Sequence, residues 1–238
     1  MTLQAAMFDV FGTVVDWRSG VSREVARVFA AHRIEDDATA VADAWRGEYQ
    51  PAMARIREGD RGYIALDILH RENLDRVLAA RGHAGRLDEA ALADLNRAWE
   101  RLPPWPDSVA GIAAMQARLF VAPCSNGSIA LMARLARFAG LSWDAILGAD
   151  VARAYKPQPE AYLRSAAALG VAPGAMLMVA AHNDDLAVAR ALGFATAFVP
   201  RPTEHGPGQT TDLAPSEDWD LVATDLVDLA QQLDGNAA

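Results

Sequence analysis

Short apolar runs, each closed by a polar turn, recur along the second half of the chain. Leu119–Ala122 in RLFVAPCSNGS, Met176–Ala180 in AMLMVAAHNDD and the run in FATAFVPRP read as strands, the last stopped by Pro200 and Pro202. An earlier run, in MFDVFGTVVDW, ends on Asp9 and meets a Gly-Thr turn. Between the later runs the period changes to that of a helix. In SIALMARLARFAGL, Ile129, Met132, Leu135 and Phe138 fall at helical spacing, and Gly140 suits a C-cap. Strand and helix in alternation predict an α/β fold with a parallel, doubly wound, Rossmann-like sheet.

Residues 17–97 break that alternation. SGVSREVARVFAAHRI, ATAVADAWRGEYQPAMARIREG and GYIALDILHRENLDRVLAARG are amphipathic helical segments with no strand period. About eighty residues thus separate the first strand from the next, where a crossover needs only about a dozen. The expected organisation is an α/β core of residues 1–16 and 98–238, with a helical domain inserted over 17–97. Such an insert is placed to close over the carboxyl edge of the sheet, where open α/β sheets bind ligands. The tail DLVATDLVDLAQQLDG reads as a short strand or turn plus a helix, and PRPTEHGPGQTTDLAPSEDW as a loop.

Composition narrows the function. Of 238 residues, 52% are hydrophobic and 22% charged, an ordinary globular balance. A formal net charge of -9 disfavours nucleic acid and anionic membrane surfaces, but not a small anion held in a local cationic pocket. Cys124 is the only cysteine, so no disulfide within the chain is possible, and a reducing compartment is expected. The N-terminal residues show no signal-peptide pattern and no run is long enough to span a bilayer, so a cytoplasmic location is expected.

The polar groups collect at strand ends. Asp9 follows the first strand, Ser125 and Asn126 the second, and His182-Asn183-Asp184-Asp185 a later one, while Lys156 lies between strands in ARAYKPQPEAY. Carboxyl ends of a parallel sheet face one crevice, so these groups can converge. Taken singly, each has a plainer role. Asp9 could cap a turn, Lys156 could be a loop lysine, Arg46 a solvated helix arginine, and Asp184 or Asp185 a helix cap. Trp17, Trp45 and Tyr63 suit packing or the cap side of a pocket.

Taken together, the motifs resemble the haloacid dehalogenase superfamily of hydrolases. FDVFGTVVD matches its first motif, CSNGS the second, YKPQPEAY the third and NDDLAVARALGF the fourth, in order along the chain. The L-2-haloacid dehalogenase subgroup is the nearer match, with Arg46 shortly after a tryptophan in DAWRGEY and Tyr162 after Lys156 and its proline. The phosphatases of the superfamily carry a second aspartate two residues after the nucleophile, which protonates the alkoxide leaving group. Here that position is Phe11, and the phosphatase metal aspartate falls at Ala181. A halide leaves as a stable anion and needs no acid. The resemblance therefore implies a small haloacid substrate, halide release, no cofactor and no metal; a homodimer is expected on the same basis. Asp9 is the expected nucleophile, kept ionised by Lys156, with Asp185 polarising water. Phe11, Thr13, Arg46, Ser125, Asn126, Tyr162, His182 and Asn183 are the expected substrate-binding set, with Arg46 on the halide and Ser125 and Asn126 on the carboxylate. Ala180 and His182 depart from a hydroxyl and an amide that the subgroup carries. A magnesium-dependent phosphatase and a silent member that only binds a small acid are the competing expectations.

Overall fold

Ala5–Phe8 forms β1, every residue of it buried, in a computed structural model that describes residues 2–59 and 61–235. The other strands are β2 (Phe120–Ser125), β3 (Leu147–Gly148), β4 (Met176–Ala180), β5 (Ala195–Phe198) and β6 (Leu221–Val222). They build a six-stranded sheet in the order β3-β2-β1-β4-β5-β6, each neighbouring pair parallel. The chain moves outward from β1 through β2 to β3, then returns to the other side of β1 for β4. The switch point therefore lies beside β1, where Phe8 is in register with Pro123 and Val179. Asp9 is the next residue.

β2 runs to Ser125, three residues past the expected end at Ala122, because Cys124 and Ser125 pair with β3. At this pairing only glycine fits at 148: a side chain there would meet the Ser125 carbonyl oxygen at 2.1 Å.

Five α-helices fall within residues 17–97: α1 (Trp17–Ala31), α2 (Ala38–Gly47), α3 (Tyr49–Arg57), α4 (Leu66–Ala80) and α5 (Glu89–Asn96). Asp16, Asp37 and Asp88 accept backbone amides at the starts of α1, α2 and α5. The remaining helices are α6 (Ser108–Gln116), α7 (Ile129–Ala139), α8 (Ala149–Ala152), α9 (Pro159–Ala168), α10 (Asn183–Ala191) and α11 (Leu226–Gly235). In α7 the Ser128 hydroxyl caps the start and Gly140, at φ 70°, ends it, as the sequence predicts. Its buried face is Leu131, Met132, Leu135, Ala136 and Ala139; Ile129 and Phe138 are exposed. An i, i+3 ladder drifts around a 3.6-residue helix, so its two ends leave the stripe that its middle defines.

Two apolar clusters flank the sheet. One is continuous from Phe8 and Val10 through Val14 and Trp17 into Trp45, Trp99 and Leu102, so the helical insert shares a core with one sheet face. The other packs Met7, Cys124 and Met178 against Tyr162 and Leu186. Hydrogen bonds also join insert and core. Tyr63 donates to Asp150 Oδ1 at 2.8 Å, and Tyr155 donates to the Ile64 carbonyl. No helix among the described residues is long and apolar enough to cross a membrane.

Candidate active site

The turn after β1 makes Asp9 a held, buried carboxylate. Its amide donates to Val179 O at 3.0 Å, and the Val14 and Val15 amides fold back to Val10 O. Gly12, at φ 93°, allows the reversal. Thr13 Oγ1 donates to Asp9 Oδ2 at 2.8 Å and accepts the Ala181 amide at 2.9 Å, tying the turn to the end of β4. Lys156 Nζ then bridges two carboxylates, Asp9 Oδ1 at 2.8 Å and Asp185 Oδ2 at 2.5 Å. Tyr162 donates to the other Asp185 oxygen, and Asn126 Oδ1 accepts the Lys156 amide at 2.8 Å.

Charge sets the protonation states. Burial pushes the Asp9 pKa up, but Lys156 and His182 outweigh it and hold the carboxyl well below the usual range. Burial works against the Lys156 ammonium, yet Asp185 and Asp9 raise its pKa well above the ordinary value. Asp185 moves the other way from Asp9, raised by its burial and by Asp9's charge in spite of Lys156. Of the two carboxylates on Lys156, Asp9 is thus the stronger acid. Tyr162, raised by burial and by Asp185, stays a donor.

His182, at the N-cap of α10, forms a second bridge. Its Nδ1 lies 3.2 Å from Asp9 Oδ2 and its Nε2 lies 2.9 Å from Glu204 Oε2. Burial disfavours its cation, but hydrogen bonds to Asp9 and Glu204 raise its pKa well above 6.5. These pairs stabilise the fold below the ordinary histidine pKa, and that contribution is lost as pH rises through the raised value. The Asp9 contribution has the opposite sense: it is present above the usual carboxylate pKa and is lost as pH falls toward its lowered one. Glu204 is 1% exposed although it sits in the loop after β5, and its Oε1 accepts Trp17 Nε1 at 2.9 Å. A Cβ on Gly12 would lie 2.0 Å from that oxygen, so glycine at 12 also makes room for Glu204.

The insert supplies the opposite wall. Arg46 stacks on the rings of Tyr49 and Trp17, 4.2 and 5.3 Å from their centroids, and its buried Nη1 has no hydrogen-bond partner among the described residues. Phe11 meets Trp99 edge-on at 5.7 Å. Together Asp9, Phe11, Arg46, Asn126, Lys156 and His182 border a cavity of ≈ 510 Å³. A larger cavity of ≈ 770 Å³ lies at the amino-terminal edge of the sheet. Its charges are already engaged, Arg118 with Asp234 at 2.9 Å and Asp220 with Thr196, so the smaller cavity holds the reactive set.

This arrangement is an ionised carboxylate at a sheet switch point, flanked by two cations and faced by an unpaired guanidinium. The same stretch of chain, residues 3–193, matches the family model of haloacid dehalogenase-like hydrolases. The chain belongs to that family. The (S)-2-haloacid dehalogenase of Xanthobacter autotrophicus is 32% identical to it over 209 residues, 84% of this chain and 76% of that protein. The crystal structure of a defluorinating L-2-haloacid dehalogenase superposes with a TM-score of 0.96 at 52% identity, covering 98% of this chain and 95% of the other. The Xanthobacter autotrophicus L-2-haloacid dehalogenase with chloropropionic acid covalently bound superposes with a TM-score of 0.81 at 27% identity, covering 98% and 99%.

Within this hydrolase, the structure brings Asp9, Phe11, Thr13, Arg46, Asn126, Lys156, Tyr162, His182 and Asp185 to one place. Two expected site residues point elsewhere. The Ser125 hydroxyl is buried and accepts the Gly127 amide at 3.1 Å. Asn183 donates from Nδ2 to Asp212 and Ala214 O, and accepts from Ser216 and Trp219, so it anchors the 212–219 loop. Asp184 is exposed and accepts the Asp185 amide. Cys124 is buried, its thiol pushed up to about 12 by burial, as suits a small core residue. Glu204, Tyr49 and Arg57 are cavity residues that sequence reasoning missed. Glu204 carried no signal, since its loop reads as Pro/Gly-rich and polar throughout.

Proposed function

We propose that this chain is a hydrolase that cleaves the carbon–halogen bond of small (S)-2-haloacids through an ester on Asp9. The observation that carries the reading is Asp9 itself, ionised, aligned by Thr13 and Lys156, with Phe11 where an acid for an alkoxide leaving group would stand. In the first step an Asp9 oxygen bonds to the halogen-bearing carbon and the halide departs with the bond's electrons. Arg46, whose Nη1 is unpaired, receives the developing charge. The helical insert, read as a cap domain over 17–97, brings that guanidinium to the core.

Alkylation removes the Asp9 charge, one of the two anions that hold the His182 proton. His182 then loses that proton to solvent and becomes a base, positioned by Glu204. It takes a proton from water as the oxygen adds to the Asp9 carboxyl carbon, returns it to the departing alkoxide, and regains its own from the Asp9 carboxylic acid so formed. The products are a 2-hydroxy acid, halide and one proton. Asp185, tied to Lys156 and Tyr162, is better placed to position the ammonium than to activate water, the role the sequence suggested.

No cofactor enters this scheme. The two carboxylates that a divalent cation would need are engaged by the Lys156 ammonium, and Ala181 offers no ligand. Halide release from L-2-chloropropionate in the presence of chelator is the test; a rate abolished by chelator would sink the reading. The 52% identity to a defluorinating relative favours including fluoroacetate in the same panel. A homodimer in the cytoplasm accompanies the reading as the expectation that the resemblance and the single cysteine support.

His182→Gln separates the two steps. It is expected to lower kcat by about 10²–10⁴-fold. Halide should appear in a burst of roughly one equivalent per site, with the ester accumulating on the Asp9 peptide. Quenched-flow halide assay and peptide mass spectrometry check this, and Glu204→Gln should move both readouts the same way.

A further inference from the structure

One cation of the cavity wall is left over from this chemistry. Lys156 and His182 are paired to carboxylates, and Arg46 is assigned to the halide. Arg57, on the last turn of α3, borders the same cavity. It lies seven residues after Gln50, another wall residue, so the two share one helix face. Among the described residues its Nη1, shut off from water, meets no acceptor, and no salt bridge to Arg57 is found. A solvated surface arginine would not bury that nitrogen without an acceptor. Space points the same way. A cavity of ≈ 510 Å³ falls in the range of about 300–1,000 Å³ that encloses drug-sized ligands, far more than a three-carbon acid fills.

Surplus volume and a surplus guanidinium together describe a longer substrate with an anionic far end. We propose that Arg57 is a second anion receptor of this cavity and recognises the distal carboxylate of a 2-halodicarboxylic acid. The inference rests on the dehalogenase reading above, with Asp9 attacking the halogen-bearing carbon at the near end. A guanidinium fork is the side chain best shaped for a carboxylate, which it holds through two parallel hydrogen bonds.

The test is halide release from L-2-chloropropionate, 2-chlorosuccinate and 2-chloroglutarate by the native chain, Arg57→Met and Arg57→Lys. The native chain should turn over the better dicarboxylate with a kcat/KM at least equal to that for 2-chloropropionate. Arg57→Met should lower the dicarboxylate-to-monocarboxylate ratio by about ten- to a hundredfold, the worth of a charged hydrogen bond, and Arg57→Lys should restore part of it. Because the measure is a ratio taken on one sample, loss of folded protein cancels. A native chain that dehalogenates 2-chloropropionate but neither dicarboxylate would overturn the inference alone. So would a ratio unmoved by Arg57→Met, or an equal loss on all three acids, which would place Arg57 on the reacting carboxylate instead. No halide from any acid, 2-chloropropionate included, would remove the dehalogenase reading and this inference with it.

Discussion

Asp9→Asn is expected to release no halide above background, a loss of at least about 10⁴-fold, because it deletes the atom that forms the new bond. An amide is a far weaker nucleophile than the carboxylate, and nothing nearby replaces it. Asp185 is also a buried carboxylate, but both its oxygens are engaged, by Lys156 and Tyr162. The fold should survive the exchange, since Asn keeps a side-chain oxygen for Thr13. A second readout distinguishes a lost nucleophile from a disturbed site. In a single turnover in heavy-oxygen water the native enzyme should place the label on the Asp9 carboxyl before any reaches product, since water attacks the carboxyl carbon and not the substrate. Label passing directly into the 2-hydroxy acid, with the Asp9 peptide unlabelled, would refute the ester route.

Lys156→Met is expected to be nearly as damaging, with a further cost in stability. Lys156 Nζ is within 2.8 Å of Asp9 and 2.5 Å of Asp185, and all three side chains are buried. Removing one partner of such a cluster leaves uncompensated buried charge, about 3–5 kcal/mol. For a chain of this length that corresponds to a Tm lower by about 6–20 °C. The two carboxylates would relieve the repulsion by sharing a proton, and a protonated Asp9 does not attack carbon. The acid limb of the pH-rate profile should therefore move upward. In the native enzyme it should not report Asp9, whose carboxyl is held far below the working range. Thermal melts and kcat/KM against pH check both effects. Adding Asp185→Asn to Lys156→Met should recover much of the melting temperature by removing one like charge. Activity should stay low, because Asp9 still lacks its cation. Recovery of both together would mean that Lys156 acts only on stability.

The parts of this molecule legible in the sequence are those carried by local pattern. β1, β4 and β5 are continuous apolar runs stopped by turns, and their ends carry Asp9 and the 182–185 cluster. Gly140 and Ser128 mark the limits of α7 through backbone chemistry that depends on neighbours in sequence alone. β3 was not legible, because two residues have no period; it exists through pairing with Cys124 and Ser125. The same holds at the site. Asp9 and Lys156 announce themselves by motif, but Glu204 reaches His182 only because the loop after β5 folds back toward Trp17 and Gly12. Arg201 fixes that return by donating to Thr13 O and to both oxygens of Asp107. Asn183 illustrates the converse. Its place in the fourth motif suggests chemistry, yet its amide is consumed by four contacts to its own loop. Motif identifies residue type at a strand end; which way the side chain turns is decided by partners distant in sequence.

The aromatic packing around Arg46 has a practical consequence. Trp17, Trp45 and Trp99, three of the six tryptophans in the chain, pack against one another beside the cavity, with the guanidinium over Trp17 and the neutral His70 ring stacked on Trp99 at 4.3 Å. An indole's emission depends on the charges close to it. The chain therefore carries an unlabelled optical reporter at its own reaction chamber, through which substrate entry, ester formation and halide departure can be timed in a stopped-flow fluorimeter.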